Sequence, residues 1–114
     1  MQNDDARVVD ILIAAEEIGD FIRGKISGDY RVNRMLQAAV ERNVFVIGEA
    51  CRALSDGFKS KHDSMPWAKI IGTRNILAHE YGRVNHEIMW EIASVHVPAL
   101  AEYLKPIAPC ELEE

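Results

Sequence analysis

A stripe of apolar residues at helical spacing, centred on an arginine, is the sequence feature that most restricts how this chain can fold. Each residue of a helix turns about 100° around the axis, which from residue 67 onward places one apolar set on a single arc: Trp67, Ile70, Ile71, Leu77, Ala78 and Tyr81. Arg74 lies in the middle of that arc. A guanidinium group stays charged and is costly to bury without a partner. The stripe therefore predicts an Arg74 that is either paired there or used in chemistry.

Two polar residues lie at the edge of this stripe, Asn75 and His79, one helical turn apart. Arg74 and His79 are five residues apart, or about 140° around a regular helix, so they converge only if the helix loosens or a second subunit completes the site. Gly82 suits the position after a helix C-terminus and predicts a helix end near Tyr81. The alternative is structural: an Arg74 paired to a buried acid, and a His79 that binds the last carbonyl groups of the helix.

Three further segments with helical periodicity accompany the stripe and predict an all-α fold of four helices. The first helix is expected from about Asp5 to Arg23, the second from about Arg31 to Leu54, and the fourth from the cap residue Asn85 onward. Residues 55–66 are polar and are interpreted as a linker with about one helical turn. A chain of 114 residues can bury a core without a metal or a disulfide, so we expect one domain over residues 1–114.

The fourth helix is apolar over more than half of its circumference, which is more than one packing face requires. The residues concerned are Ile88, Met89, Trp90, Ile92, Ala93, Val95, Val97, Ala99, Leu100, Tyr103 and Leu104. Either this helix is central in the bundle or it packs against another chain. Pro98 should kink it by removing the hydrogen bond to Ser94, and residues 105–114 are expected to fray.

Two residues of the second helix are also candidates for function. Asn43 lies within the apolar face, and a buried amide needs hydrogen-bond partners. It is therefore either a structural residue or part of the site that begins with Arg74. Phe45 projects from the opposite side near Gly48, which is a minor indication of a subunit contact.

The net charge and the absence of several motifs argue against some classes of function. The 13 Lys and Arg against 18 Asp and Glu give a net charge of −5, so we predict no DNA partner and only a local contact with any nucleic acid. His79 and His86 are seven residues apart, whereas helical zinc pairs need a spacing of four. There is no Gly-x-Ser-x-Gly motif, phosphate-binding glycine loop or dinucleotide fingerprint. We therefore expect neither a metal nor a cofactor.

Cysteine use and hydropathy predict the cellular location. Cys51 and Cys110 have no metal-ligand spacing between them and are interpreted as reduced thiols. No apolar run reaches the length of a signal or membrane-spanning segment. We therefore predict a cytoplasmic protein without a membrane contact.

The pattern Arg74-Asn75-x-x-x-His79-x-Tyr81 resembles the HEPN superfamily, specifically the HepT-like toxins of bacterial and archaeal toxin–antitoxin pairs. The resemblance covers almost the whole chain and shows no departure at the motif positions. Its other matches are Arg42-Asn43, Ile47-Gly48-Glu49-Ala50, Pro66-Trp67 and Ile71-Gly72-x-Arg74-Asn75.

This resemblance implies a four- to five-helix up-and-down bundle that forms a homodimer, with the two motifs facing each other across a cleft. It implies a metal-independent ribonuclease acting on RNA, with Arg74 and His79 catalytic and Asn75 supporting them. Asn43 is a second candidate for that supporting role. Tyr81 would be the residue to which an MntA-like nucleotidyltransferase antitoxin transfers AMP. The alternative is a non-catalytic, nucleotide-binding or complex-forming subunit of a nucleotidyltransferase.

Overall fold

The computed structural model describes residues 3–79 and 84–109, and every regular element within them is a helix. This confirms the predicted all-α fold. In chain order the elements are α1 (Asn3–Ile22), α2 (Ser27–Arg31), α3 (Arg34–Ala53), α4 (Asp56–Lys61), α5 (Trp67–His79), α6 (His86–Glu91), a π-helical turn (Ile92–His96), α7 (Val97–Leu104) and a 3₁₀ turn (Lys105–Ile107). The segments from α6 to α7 follow one another directly and are called the C-terminal helix below. The four predicted helices correspond to α1, α3, α5 and this C-terminal helix.

The long helices pack in a fixed order around α3. This helix contacts both α1 and α5, and α1 in turn contacts the π-helical turn and α7. Their apolar faces meet in one core, which includes Val8, Ile11, Ile18, Val40, Ile47, Leu77, Ala93, Leu100 and Leu104. The C-terminal helix is therefore not the central one, and its residues Ile88 and Val95 are 57% and 54% exposed.

The boundary between the first two long helices follows from local capping. Gly24 has a φ of 75°, a left-handed conformation that glycine adopts without strain after a helix C-terminus. Asn33 caps α3 by accepting a hydrogen bond from the backbone N–H of Leu36 at 3.0 Å. Because of this cap α3 begins at Arg34 rather than near Arg31, and the chain before it forms the short helix α2.

The polar segment predicted as a linker contains α4. Its cap Ser55 accepts a hydrogen bond from the N–H of Phe58 at 3.0 Å. Ser55 in turn donates from its backbone N–H and its hydroxyl to the Asp4 carboxylate, at 2.8 and 2.7 Å. The start of α4 is thereby bound to the first turn of α1, a contact that no periodicity in the sequence indicates.

The C-terminal helix changes its hydrogen-bond pattern just before Pro98. The N–H of Val97 donates to the carbonyl of Ile92, which is the five-residue spacing of a π-helical turn, and Pro98 then lies in the first turn of α7. The hydroxyl of Ser94 donates to the carbonyl of Trp90 at 2.7 Å. The proline is thus accommodated next to a widened turn, which is itself a recognised cause of helix bending.

Residues beyond α7 stay in contact with the core as far as the structure describes them. Ile107 and Ala108 pack against it, whereas residues 110–114 of the predicted frayed tail lie outside the described part. Cys110 belongs to that tail. Cys51 is a buried free thiol, and burial raises its pKa to about 12, so this thiol is unreactive. No helix in residues 3–79 and 84–109 combines the length and the apolarity needed to cross a bilayer.

An apolar groove of about 530 Å³ separates α5 from the C-terminal helix. Val44 and Ile47 of α3 contribute to its lining, and Ile70, Ile88 and Ile92 line it from the two flanking helices. The exposed side chain of Ile88 is thus part of the apolar groove and is not an isolated apolar residue on the surface.

Candidate active site around Arg74

The close approach of α3 and α5 begins at Gly48. A β-carbon added to Gly48 would overlap the Arg74 Cβ and would lie 2.9 Å from its Cγ and 3.3 Å from its Cα. The last of these is a backbone atom, so α5 itself would have to move. Glycine at position 48 therefore allows α5 to approach α3 closely at Arg74.

The guanidinium group of Arg74 is held by two acceptors. Its Nε donates to Glu49 Oε2 at 3.0 Å, and its Nη2 forms an ion pair with the same oxygen. Its Nη1 donates to Asn75 Oδ1 at 3.0 Å. The Arg74 side chain is 16% exposed and that of Glu49 is 38% exposed. The arginine in the apolar stripe is thus paired, as one of the two predicted alternatives required, but its acid is at the surface rather than buried.

The charge state of Glu49 follows from this pairing. The hydrogen bond from Arg74 is the main cause that lowers the pKa of the Glu49 carboxyl; desolvation opposes it, and the charges of Arg74 and Arg52 lower the pKa further. Arg52 Nη1 lies 3.8 Å from Glu49 Oε1. Glu49 is therefore an ionised partner of Arg74 at neutral pH and not a proton donor.

Arg74 retains hydrogen-bonding capacity. A guanidinium group has five N–H donors, and Glu49 and Asn75 accept from three of them. One N–H on each terminal nitrogen is left without an acceptor among the described residues. Free N–H groups of a guanidinium bind phosphate oxygens, so the side chain is oriented by Glu49 and Asn75 and can still bind an anion.

Phe45 and Arg42 complete the surroundings of Arg74. The Phe45 ring centroid lies 5.2 Å from Arg74 Cζ and 5.9 Å from Arg42 Cζ, within the range of cation–π contacts. Phe45 is partly buried against the core. Phe45 therefore faces the Arg74 site. The sequence had predicted that it projects from the opposite side of the helix, and that prediction is wrong.

The structure brings together some of the predicted site residues and leaves others apart. Asn75 contacts Arg74 as expected. Asn43 forms none of the described hydrogen bonds of Arg74. Its amide donates instead to the Ala39 carbonyl of its own helix at 3.3 Å. This bond favours the structural interpretation of Asn43. His79 ends α5, but its side chain and the whole of Tyr81 lie outside the described residues, so their predicted roles stay predictions.

Glu49 is the site residue that sequence reasoning did not assign. It lies within the matched segment Ile47-Gly48-Glu49-Ala50, directly after the glycine that faces Arg74. An acid next to a helix-contact glycine, opposite an arginine in an apolar stripe, was the available signal. It becomes decisive only when the pairing of α3 with α5 is known.

A second polar cluster is formed by Tyr30 of α2, Glu41 of α3 and His86 at the start of α6. His86 Nδ1 is 4.0 Å from Glu41 Oε2, and the buried hydroxyl of Tyr30 has no hydrogen-bond partner among the described residues. Burial raises the pKa of Glu41, against the lowering effect of His86 and Arg34, and burial also raises the pKa of Tyr30. Within residues 3–79 and 84–109, no three His, Cys, Asp or Glu side chains group as a metal site.

Comparison with known proteins finds a matching family model and several similar proteins. The family model described as "Ribonuclease HepT-like" matches residues 11–107. A protein of Methanocaldococcus jannaschii that is named as an RNase is 33% identical over 95 residues, covering 83% of this chain and 87% of its own length. A similarly named protein of Caldanaerobacter subterraneus subsp. tengcongensis is 35% identical over 97 residues, covering 85% and 87%.

A third relative carries the name of the family itself. This protein of Thermococcus cleftensis, named as a ribonuclease HepT, is 32% identical over 91 residues, covering 80% of this chain and 83% of its own length. No solved structure matches the chain.

Proposed function

The chain belongs to the HepT-like ribonuclease family, and on this premise we propose that it is the toxin of a toxin–antitoxin pair, an endoribonuclease that cleaves RNA without a metal ion. The observation that carries the proposal is the state of Arg74. Glu49 and Asn75 orient its guanidinium group, and two of its N–H groups have no acceptor among the residues that the structure describes. The family motif continues from this arginine to His79, one of the residues that catalysis would require.

The chemistry of metal-free RNA cleavage needs three groups. A base takes the proton of the ribose 2′-hydroxyl, whose oxygen attacks the adjacent phosphorus. An acid gives a proton to the departing 5′-oxygen, and a cation stabilises the charge that builds up on the phosphorane. The products are a 2′,3′-cyclic phosphate and a 5′-hydroxyl. In our proposal Arg74 is the cation and His79 supplies the proton transfers, since imidazole titrates near neutral pH.

A homodimer would divide the two proton transfers between two chains. One His79 would act as the base and its symmetry mate as the acid, with an Arg74 from each side of the cleft. Exposed apolar side chains support the association of two chains: Ile76 on α5 is 46% exposed, and Ile88 and Val95 on the C-terminal helix are more than half exposed. Light scattering that gives a monomer mass at micromolar concentration would count against the dimer.

Inhibition by a nucleotidyltransferase antitoxin is the regulatory part of the proposal. Tyr81 follows His79 by two residues, and AMP on its phenol would bring a negative charge into the neighbourhood of Arg74. Pairing of that phosphate with the guanidinium would occupy the N–H groups that the RNA needs. Mass spectrometry of the co-expressed pair tests this directly: a protected cell whose Tyr81 peptide carries no AMP would contradict it.

The alternative function is a non-catalytic, complex-forming subunit of a nucleotidyltransferase. It is favoured by the fact that Glu49 and Asn75 already accept three of the five N–H bonds of Arg74, as they would in a purely structural pair. An RNase assay separates the two functions. We expect EDTA-treated protein to cleave total RNA and to leave cyclic phosphate ends, and we expect Arg74→Ala and His79→Ala to abolish cleavage.

Matched variants make this assay specific. Arg23→Ala and His96→Ala remove an exposed arginine and an exposed histidine elsewhere on the surface, so both proteins should cleave like the wild type. Circular dichroism establishes that all four variants are folded. Intact RNA with folded wild-type protein favours the complex-forming subunit.

A further inference from the structure

Phe45 is placed where a chain that acts on RNA would need to hold a base. Its ring lies beside Arg74, with Arg42 at a similar distance. Arg42 and Phe45 are three residues apart on α3, and Phe45 and Glu49 are four apart, so the three side chains follow one another along the same face of the helix. This face borders the guanidinium group that Glu49 and Asn75 orient.

The composition of this face matches the chemistry of single-stranded nucleic acid. Aromatic rings stack on bases, and neighbouring guanidinium groups bind phosphates or stack themselves. Arg42 is exposed, so its charge is accessible beside the ring.

The overall charge of the protein makes such a contact more important. A net charge of −5 gives little general attraction for a polyanion, and Glu49 offsets part of the charge of Arg74. Stacking does not depend on net charge in this way. A base-binding ring next to the reactive phosphate would supply affinity that the electrostatics of this chain lack.

We propose that Phe45, flanked by Arg42 and Arg74, is a base-stacking site for the RNA nucleotide next to the phosphate bound by Arg74. This inference rests on the proposed ribonuclease function and names a substrate contact within it. Phe45 binds the base, Arg74 binds the phosphate to be cleaved, and Arg42 contacts a neighbouring phosphate of the strand. The site recognises any base, because every base has a π face.

The test is a double-mutant cycle between the protein ring and the RNA base. The two probes are a fluorescently labelled 2′-O-methyl adenosine octamer, which lacks the attacking hydroxyl, and an abasic octamer with the same number of phosphates. Binding of each is measured by fluorescence anisotropy for the wild type, Phe45→Leu and Phe45→Tyr. Phe58→Leu is the matched control, because Phe58 is a partly buried ring on α4 beside His62 and Trp67.

We expect Phe45→Leu to weaken adenosine octamer binding by roughly 5- to 100-fold, the usual range for loss of one stacked base, and to leave abasic octamer binding unchanged. Phe45→Tyr should restore the wild-type value, and Phe58→Leu should bind both probes like the wild type. If Phe45→Leu does not fold, Phe45→Met provides a second non-aromatic variant of similar size.

Three outcomes overturn the inference. Equal weakening of both probes in Phe45→Leu means that the ring acts only by orienting Arg74. Unchanged binding of both probes means that the ring only packs, and a wild type that does not discriminate between the probes has no base site. The uncleavable probes keep this test separate from the nuclease assay: base-dependent binding without RNA cleavage contradicts the proposed function but not the stacking site.

Discussion

Two glutamates of the same helix, Glu41 and Glu49, have opposite electrostatic environments. They are eight residues apart on α3, and each lies near a basic side chain from another helix. The pKa of Glu49 is lowered, mainly by its hydrogen bond with Arg74. The pKa of Glu41 is raised, because burial outweighs the attraction of His86 and Arg34.

The difference shows what a direct, permanent partner contributes. Arg74 donates to Glu49 with hydrogen-bond geometry and carries its charge at every accessible pH. His86 Nδ1 is 4.0 Å from Glu41 Oε2, which is beyond hydrogen-bond distance. Glu49 is therefore held ionised by a hydrogen-bonded cation, whereas Glu41, two turns earlier on α3, has no hydrogen bond to His86.

Among the substitutions considered, Gly48→Ala should have the largest effect on the Arg74–Glu49 pair. The new methyl group would overlap Arg74 and press on the backbone of α5, so we expect a loss of about 1–3 kcal/mol in unfolding free energy and loss of RNA cleavage. Urea unfolding and the RNase assay measure the two effects. Gly72→Ala on α5 is the control: nothing lies within 4 Å of its added carbon, and it should gain about 0.5–1 kcal/mol. Equal behaviour of the two variants would contradict the contact.

Glu49→Gln sharpens the comparison, because it removes the charge and keeps the shape. The folded-state pKa of Glu49 is lowered, so its stabilising contribution is complete above the unfolded-state pKa of about 4.3 and disappears as the pH falls through the folded-state value. We expect Glu49→Gln to unfold at a lower temperature than the wild type at neutral pH, with the gap closing in acid. RNA cleavage should also slow, because Arg74 is less firmly oriented.

The control for this variant is Arg52→Ala, which removes the exposed arginine that lies near the other carboxylate oxygen of Glu49. It should change unfolding free energy by less than about 1 kcal/mol, as exposed ion pairs do, with cleavage unchanged. A constant gap between wild type and Glu49→Gln across the acid range would show that the charge of Glu49 is not what matters.

The smallest predicted effect has the opposite sign. The folded-state pKa of Glu41 is raised. The stability of the protein is therefore undiminished by Glu41 below its unfolded-state pKa, and it falls as the pH rises through the folded-state pKa. Glu41→Gln should therefore raise the unfolding temperature slightly at neutral pH, and this gain should vanish in acid. Thermal unfolding against pH measures both glutamine variants together. Parallel curves for the two would remove the basis of the comparison.

The sequence predicted the parts of this molecule that depend on periodicity. Four helical segments and the apolar stripe of α5 follow from the spacing of residue types, and the same spacing indicated that Arg74 is either paired or used in chemistry. Glu49 could not be identified as the partner, because that requires knowing which face of α3 meets α5. The helical turn expected in the linker is present as α4, but its anchoring could not be predicted for a similar reason, since its cap Ser55 is held by Asp4, a residue distant in the sequence. The π-helical turn is a local response to Pro98 that helical periodicity does not encode.

The contact between Gly48 and Arg74 also constrains how this chain can change through evolution. Most positions of a helix accept many side chains, but any side chain at position 48 would require α5 to retreat and carry the guanidinium group away from Glu49. A lineage could therefore replace Gly48 only after Arg74 had lost its role. Among sequences that share this fold, we expect these two positions to be kept together or lost together.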